Sequence, residues 1–141
     1  MLIERREWHM NSDVTAITPI VEAVQALCVS AGFSARQCRF NIPVAMTEAL
    51  SNAILRGNEN KRTRGVRVTL ALETQRLVLE VTDEGNGFDL AGVRQSPDEA
   101  DWLDREDGRG LFLMRSLMDV VESCVPDNRR GHTLRLILHR S

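Results

Sequence analysis

No stretch of this 141-residue chain approaches the roughly 18 consecutive apolar residues of a membrane-spanning helix, so the sequence gives no membrane span. Cysteine is scarce as well. Cys28, Cys38 and Cys124 are odd in number and share no metal-like or redox-like spacing, and they read as reduced, at least partly buried thiols. Surplus charge of either sign is missing: 18 basic against 20 acidic residues leave a formal net charge of -2. That balance offers no electrostatic basis for binding nucleic acid or an anionic membrane. The N-terminal MLIERREWHM alternates charged with apolar residues and lacks the apolar core of a signal peptide, so a cytoplasmic protein is expected. Met10 stays open as an alternative start. What remains, 43% hydrophobic and 27% charged residues over this length, suits one globular domain spanning 1–141.

The informative stretch is Pro43 to Gly57, PVAMTEALSNAILRG. Ile42, Met46, Ala49, Leu50, Ala53 and Gly57 recur at three- and four-residue steps and give a helix an apolar, small-residue face. Glu48 and Asn52 lie one turn apart on the opposite face and project over one surface spot. A carboxylate beside a carboxamide suits a divalent cation and a polarised hydroxyl or water; the alternative is a plain solvated face.

In chain order, Glu7 to Met10 suits a short edge strand. A helix follows, with Thr18 as cap, Pro19 in its first turn, and Val21, Val24, Leu27, Cys28 and Ala31 as its stripe before Gly32. Ser34 to Gln37 has capping-box spacing, and Pro43 predicts either a kink or a fresh helix start. The helix carrying Glu48 and Asn52 ends near Gly57, and Asn58 to Gly65 is turn-like. From Val66 the period becomes two. Val66, Val68, Leu70 and Leu72, then Leu77, Leu79 and Val81 beyond a turn at Thr74 and Gln75, predict a hairpin with one buried face.

Asp83 keeps the parity of Leu77, Leu79 and Val81, which points its carboxylate to the core side, where it needs a partner; the alternative is an Asp capping the turn. Gly85 and Gly87 follow, where glycine lets backbone approach a flat ligand. About two dozen residues of little periodicity come next, with Pro97 and a dense acidic run from Asp98 to Asp107: a disordered segment or a ligand-gated lid over about 88–107. Gly108-Arg109-Gly110 then opens a helix carrying Leu111, Phe112, Met114, Leu117 and Met118. Free amides at such a helix start suit a phosphate, although GxG is also a common turn; Arg109 adds a positive charge or is an exposed loop arginine. Val120 to Val125, a turn at Pro126 to Gly131, and Leu134, Leu136 and Leu138 predict a second hairpin, with Arg135 and His139 outward. Helices layered on one face of a mainly antiparallel mixed sheet, an α/β two-layer sandwich, follow from this order.

In sequence order, Glu48-x-x-x-Asn52 on a helix, Asp83-x-Gly85-x-Gly87 after a strand and Gly108-x-Gly110-Leu111 at a helix start resemble the three nucleotide-binding boxes of the GHKL ATPase superfamily, the Bergerat fold of gyrase B, MutL and histidine-kinase catalytic domains. Ala31-Gly-Phe-Ser34 and Gly108-Arg-Gly-Leu-Phe-Leu-Met114 resemble more narrowly the anti-sigma factor serine-protein kinases. The resemblance covers nearly the whole chain. It implies ATP and Mg2+ as cofactors: Asp83 receives the adenine amino group, Gly85 and Gly87 let backbone pass the base, and Asn52 coordinates magnesium. Glu48 is the general base, Gly108, Gly110 and the Leu111 amide cradle phosphates, and Arg109 contacts the terminal phosphate. It also implies a sigma factor and a STAS-type anti-sigma factor antagonist as partners and a homodimer, with no direct contact to nucleic acid or membrane.

Two departures stand out. Arg56 occupies the place of a histidine frequent in these proteins, and Gly131-His132-Thr133 replaces Gly-Thr-Thr, in which one threonine assists adenine recognition. By strand parity His132 shares the side of Leu134 and Thr133 faces away. No phospho-accepting histidine helix or receiver domain precedes the boxes, which argues against a self-contained histidine kinase. Two functions fit: an ATP-dependent serine-protein kinase that phosphorylates an antagonist and sequesters a sigma factor, or a nucleotide-gated binding module that regulates a partner without phosphotransfer. Retention of Glu48 favours the kinase.

Overall fold

The computed structural model describes residues 1–85, 106–124 and 131–141. Five strands form one sheet: β1 (Leu2–Asn11), β2 (Gly65–Glu73), β3 (Arg76–Asp83), β4 (Val120–Cys124) and β5 (His132–His139). Their spatial order is β1-β2-β3-β5-β4, and every pairing among the described strands is antiparallel. Alternation of apolar and polar residues fixes the register, because a one-residue slip would turn each apolar set to solvent. Thus Leu70 faces Leu79, which in turn faces Leu136.

That inner face is covered by three helices: α1 (Ile17–Ser30), α2 (Ile42–Asn52) and α3 (Glu106–Leu117). Val24, Cys28, Met46, Leu50, Leu111 and Met114 bring the helical stripes onto Val68, Leu70, Leu79 and Leu136 in one buried cluster. Fully burying a leucine of this kind contributes roughly 2 kcal/mol. Across the outer face Arg135 donates to Glu80 at 3.0 and 3.2 Å and to Glu122 at 2.9 Å. The expected two-layer arrangement is therefore present. Cys28 and Cys38 are buried, Cys124 is partly so, and all three are free thiols.

Several local expectations change. The edge strand extends over Leu2–Asn11 rather than Glu7 to Met10, because its ladder with β2 runs almost the whole length of both strands. Thr18 does not cap α1. Asp13 caps a short 3-10 turn, Val14–Ala16, by accepting the Thr15 amide at 3.0 Å, and α1 continues directly from that turn. The Ser34–Gln37 capping box forms, with reciprocal bonds of 3.1 and 3.3 Å. Pro43 falls in the first turn of α2, which continues from a π turn at Gln37–Asn41 with helical backbone at Asn41 and Ile42, so the helix runs through a π turn and does not start afresh. α2 likewise passes into a π turn, Ala53–Gly57, that widens the helix end under β3. β4 is described over Val120–Cys124; Val125, expected to end it, lies outside the described residues, and of the turn expected at Pro126 to Gly131 only Gly131 lies among them.

Candidate active site

The sheet end of the site is built by β3. Its alternation carries Asp83 onto the helix-covered face, where the side chain is 5% exposed. Oδ1 accepts the Gly85 amide at 2.8 Å. Burial lifts the carboxyl to about 6, with the Gly85 hydrogen bond and the Arg64 charge pulling the other way. The inward orientation read from parity is thus borne out.

Gly57, last residue of the π turn, lies directly against this carboxylate: a Cβ there would overlap the Asp83 side chain. Gly85 is pressed equally closely onto the Gly57 carbonyl, so in this conformation it serves the packing of the strand end on the helix end. Gly131, at φ +76, passes so near the Asp83 carbonyl that no side chain fits.

One residue of this end went unread in the sequence. Asn58, fully buried, donates through Nδ2 to Ser12 Oγ at 2.9 Å and to the Gly65 carbonyl at 3.0 Å, and its Oδ1 accepts the Glu84 amide at 2.8 Å. The Gly65 amide also donates to the Glu84 carboxylate. Asn58 therefore fixes the turn after Asp83 to the start of β2 and the end of β1. The only sequence signal is a polar residue immediately behind a helix-ending glycine, which equally marks an ordinary turn.

The helix end of the site is built by α2 and α3. Glu48 and Asn52 sit one turn apart on α2 and meet the backbone of α3 at Gly110, where a Cβ would come 2.8 Å from Glu48 Oε2 and 3.5 Å from Asn52 Nδ2. Two of the three sequence boxes are thereby brought together. Nδ2 of Asn52 is buried without a hydrogen-bond partner, and a half-turn of the carboxamide would put its oxygen in the same place. An unsatisfied buried amide costs about 1–3 kcal/mol, so this atom has capacity for a further partner. From Glu48 to Gly57 the chain advances roughly 13 Å along the helix. The Asp83 carboxylate, against Gly57, and the Glu48–Asn52 pair, against Gly110, are thus set about that far apart along one helix.

The phosphate box differs in position from the expectation. α3 begins at Glu106, so Gly108, Arg109 and Gly110 lie inside its first turns instead of ahead of it. Leu111 is fully buried in the core and Arg109 is exposed. Gly87 and the lid over about 88–107, up to the start of α3, lie outside the described residues. His132 and Thr133 follow the predicted parity. His132 pairs opposite Asp83, with Nδ1 3.9 Å from Oδ2 and Nε2 hydrogen-bonded to the Ser123 hydroxyl. Thr133 is bonded to Thr82 at 2.7 Å on the other face. Arg56 is exposed.

An antiparallel sheet covered by helices on one face, with a buried carboxylate at a strand end and a Glu–Asn helix face closed by a glycine, defines a GHKL-type ATPase fold. The profile of the Histidine kinase-like ATPase domain matches residues 10–138, and the chain belongs to that family. Among curated relatives, the Serine-protein kinase RsbW of Oceanobacillus iheyensis is 29% identical over 87 residues, 58% of this chain and 55% of that protein. The Anti-sigma F factors of Clostridium acetobutylicum and Bacillus licheniformis are 30% and 32% identical over 101 residues, 71% of this chain and 68% of theirs. The match thus spans about half the length of the first relative and about two thirds of the other two. The catalytic domain of histidine kinase ThkA in a nucleotide-free form aligns over 98% of both chains with a TM-score of 0.58 at 12% identity, a likeness of fold.

Proposed function

We propose that this chain is an ATP-dependent serine-protein kinase and anti-sigma factor, which phosphorylates a STAS-type antagonist and sequesters a sigma factor. The observation that carries the proposal is the approach of Gly110 to Glu48 and Asn52, which brings a carboxylate and a carboxamide with an unpartnered Nδ2 against the first turns of α3. In this reading Asp83 accepts the adenine amino group, and Gly85, with Gly87 beyond the described residues, lets backbone pass the base. Asn52 would hold Mg2+, through the oxygen end of its carboxamide. Magnesium commonly takes one or two protein ligands and completes its shell with water and phosphate oxygens, so a single Asn beside Glu48 fits it. When bound, the ion neutralises charge on the phosphates.

Glu48 would take the proton of the attacking serine hydroxyl while that oxygen bonds to the terminal phosphorus and ADP leaves. In this reading Gly108, Gly110 and the Leu111 amide would lie on the phosphate side, and the exposed Arg109 would be the cation there. A cytoplasmic homodimer is expected from the resemblance to the anti-sigma factor serine-protein kinases. The test is transfer of labelled γ-phosphate to a serine of a STAS-type antagonist domain. Wild type is expected to transfer, and Glu48→Ala to bind ATP without transfer. ATP binding with no transfer to any antagonist encoded nearby would replace the kinase by a nucleotide-gated binding module.

A further inference from the structure

The line of side chains that carries Glu48 and Asn52 extends past the start of α2. Arg36, Phe40, Val44, Glu48 and Asn52 recur at four-residue steps on continuous helical backbone, through the π turn at Gln37–Asn41 and along α2, and so follow one slowly winding line. The Arg36 guanidinium lies 4.9 Å from the centre of the Phe40 ring, which sets those two side chains together. Phe40 is 43% exposed, and Val44 is partly buried between it and Glu48.

α3 supplies the other side of this strip. Asn41 donates through Nδ2 to the Leu117 carbonyl at 2.8 Å, and Gly110 lies against Glu48 and Asn52, so the two helices run antiparallel between these contacts. Leu113, three residues after Gly110 and four before Leu117, shares their side of α3. It is 38% exposed on the outer rim, while Met114 beside it turns into the core. Apolar side chains scattered singly over a surface are ordinary, but these stand together along a line that ends at the Glu48 carboxylate. At the far end Arg36 is exposed and has no carboxylate within ion-pair distance among the described residues.

The direction of the strip decides its use. With the base at Asp83 and the phosphates at Asn52 and Gly110, the nucleotide takes the Gly57 end of α2. In-line transfer puts the attacking oxygen on the side of the terminal phosphorus away from the departing ADP, which is the side toward the start of α2. The strip covers that side, over the roughly 12 Å of helix between Phe40 and Glu48.

We infer that Phe40, Val44 and Leu113, with Arg36 beyond them, dock the protein segment that carries the acceptor serine and determine which protein is phosphorylated. The inference rests on the proposed kinase reaction. The segment that fits has apolar side chains beside its serine and a carboxylate farther along, which pairs with Arg36.

The experiment measures steady-state transfer of labelled γ-phosphate to a STAS-type antagonist domain encoded nearby, together with ATP affinity, for wild type and surface variants. Phe40→Gln and Leu113→Gln are each expected to raise KM for the antagonist roughly tenfold, the scale of one apolar side chain lost from an interface, with kcat and ATP affinity within about twofold of wild type. Leu113→Met keeps an apolar side chain of similar volume and is expected to hold KM near the wild-type value. Arg36→Glu is expected to raise KM, and Arg36→Lys to retain most of the wild-type behaviour. All these positions are exposed, so the variants are expected to fold. Unchanged KM in Phe40→Gln and Leu113→Gln, or a loss of ATP affinity that matches the rise in KM, would overturn the inference while leaving the kinase in place. Conversion of a dimer to a monomer by these two substitutions, read by sedimentation, would overturn it in favour of a second copy of this chain. No transfer by wild type to any antagonist would overturn the proposed kinase and this inference with it.

Discussion

Asp83 is held in a state that suits a ligand better than it suits the empty protein. Its folded-state value of about 6 lies above the ordinary 3.8, so the folded chain holds the proton more tightly than the unfolded one. Stability therefore falls as pH rises from about 4 to about 6 and stays at the lower level above that window. Asp83→Asn removes the charge while keeping an oxygen for the Gly85 amide. At about pH 7.5 the ligand-free variant is expected to be more stable than wild type by up to about 3 kcal/mol, with the difference vanishing near pH 4. Thermal melts across that range check it, and parallel curves for the two proteins would contradict the assignment.

Gly110 gives a second prediction at this scale. The Cβ of Gly110→Ala would crowd Glu48 Oε2, the far end of a flexible side chain, while alanine favours the helix by about 1 kcal/mol over glycine. The variant is expected to melt no lower than wild type and to transfer phosphate at least about tenfold more slowly. Unchanged transfer would remove Gly110 from the site. Asp83 was legible in the sequence because strand parity is local. Asn58 was not, because the groups that give it a role, Ser12, Gly65 and Glu84, are brought to it by three different segments.

Among the elements, α2 with its flanking π turns organises the rest. It carries Glu48 and Asn52 on one face and buries Met46 and Leu50 on the other, and its last turn sets Gly57 under Asp83. Periodicity predicted the helix and its end but not the π turns, since a single inserted residue leaves no compositional mark. The start of α3 was misplaced for a related reason. Glu106 and Asp107 close an acidic run that reads as lid, whereas the backbone there already belongs to α3. The weld between the end of α2 and the end of β3 is Asn58. Asn58→Ala leaves the Glu84 amide and the Gly65 carbonyl without these bonds, and an expected loss of roughly 2–4 kcal/mol should appear in denaturant unfolding, together with weaker ATP binding. A loss of stability with unaltered binding would separate the turn after Asp83 from the nucleotide.

For the whole molecule, two periods in the sequence, 3.6 in the first half and 2 in the hairpins, were enough to place helices over one face of an antiparallel sheet. The strand order, with β5 inserted between β3 and β4, follows from pairings distant in sequence that no local pattern encodes. The sheet holds Asp83 and His132 in register, and the helix layer holds Glu48, Asn52 and Gly110, so the two ends of the site belong to two layers locked by one core. The most direct test of that arrangement is calorimetric titration of wild type, Asp83→Asn and Glu48→Ala with ATP in the presence of magnesium. The account predicts binding by wild type, near-normal binding by Glu48→Ala and none detectable by Asp83→Asn despite its higher stability. Equal binding by wild type and Asp83→Asn, or no binding by any of the three, would contradict it.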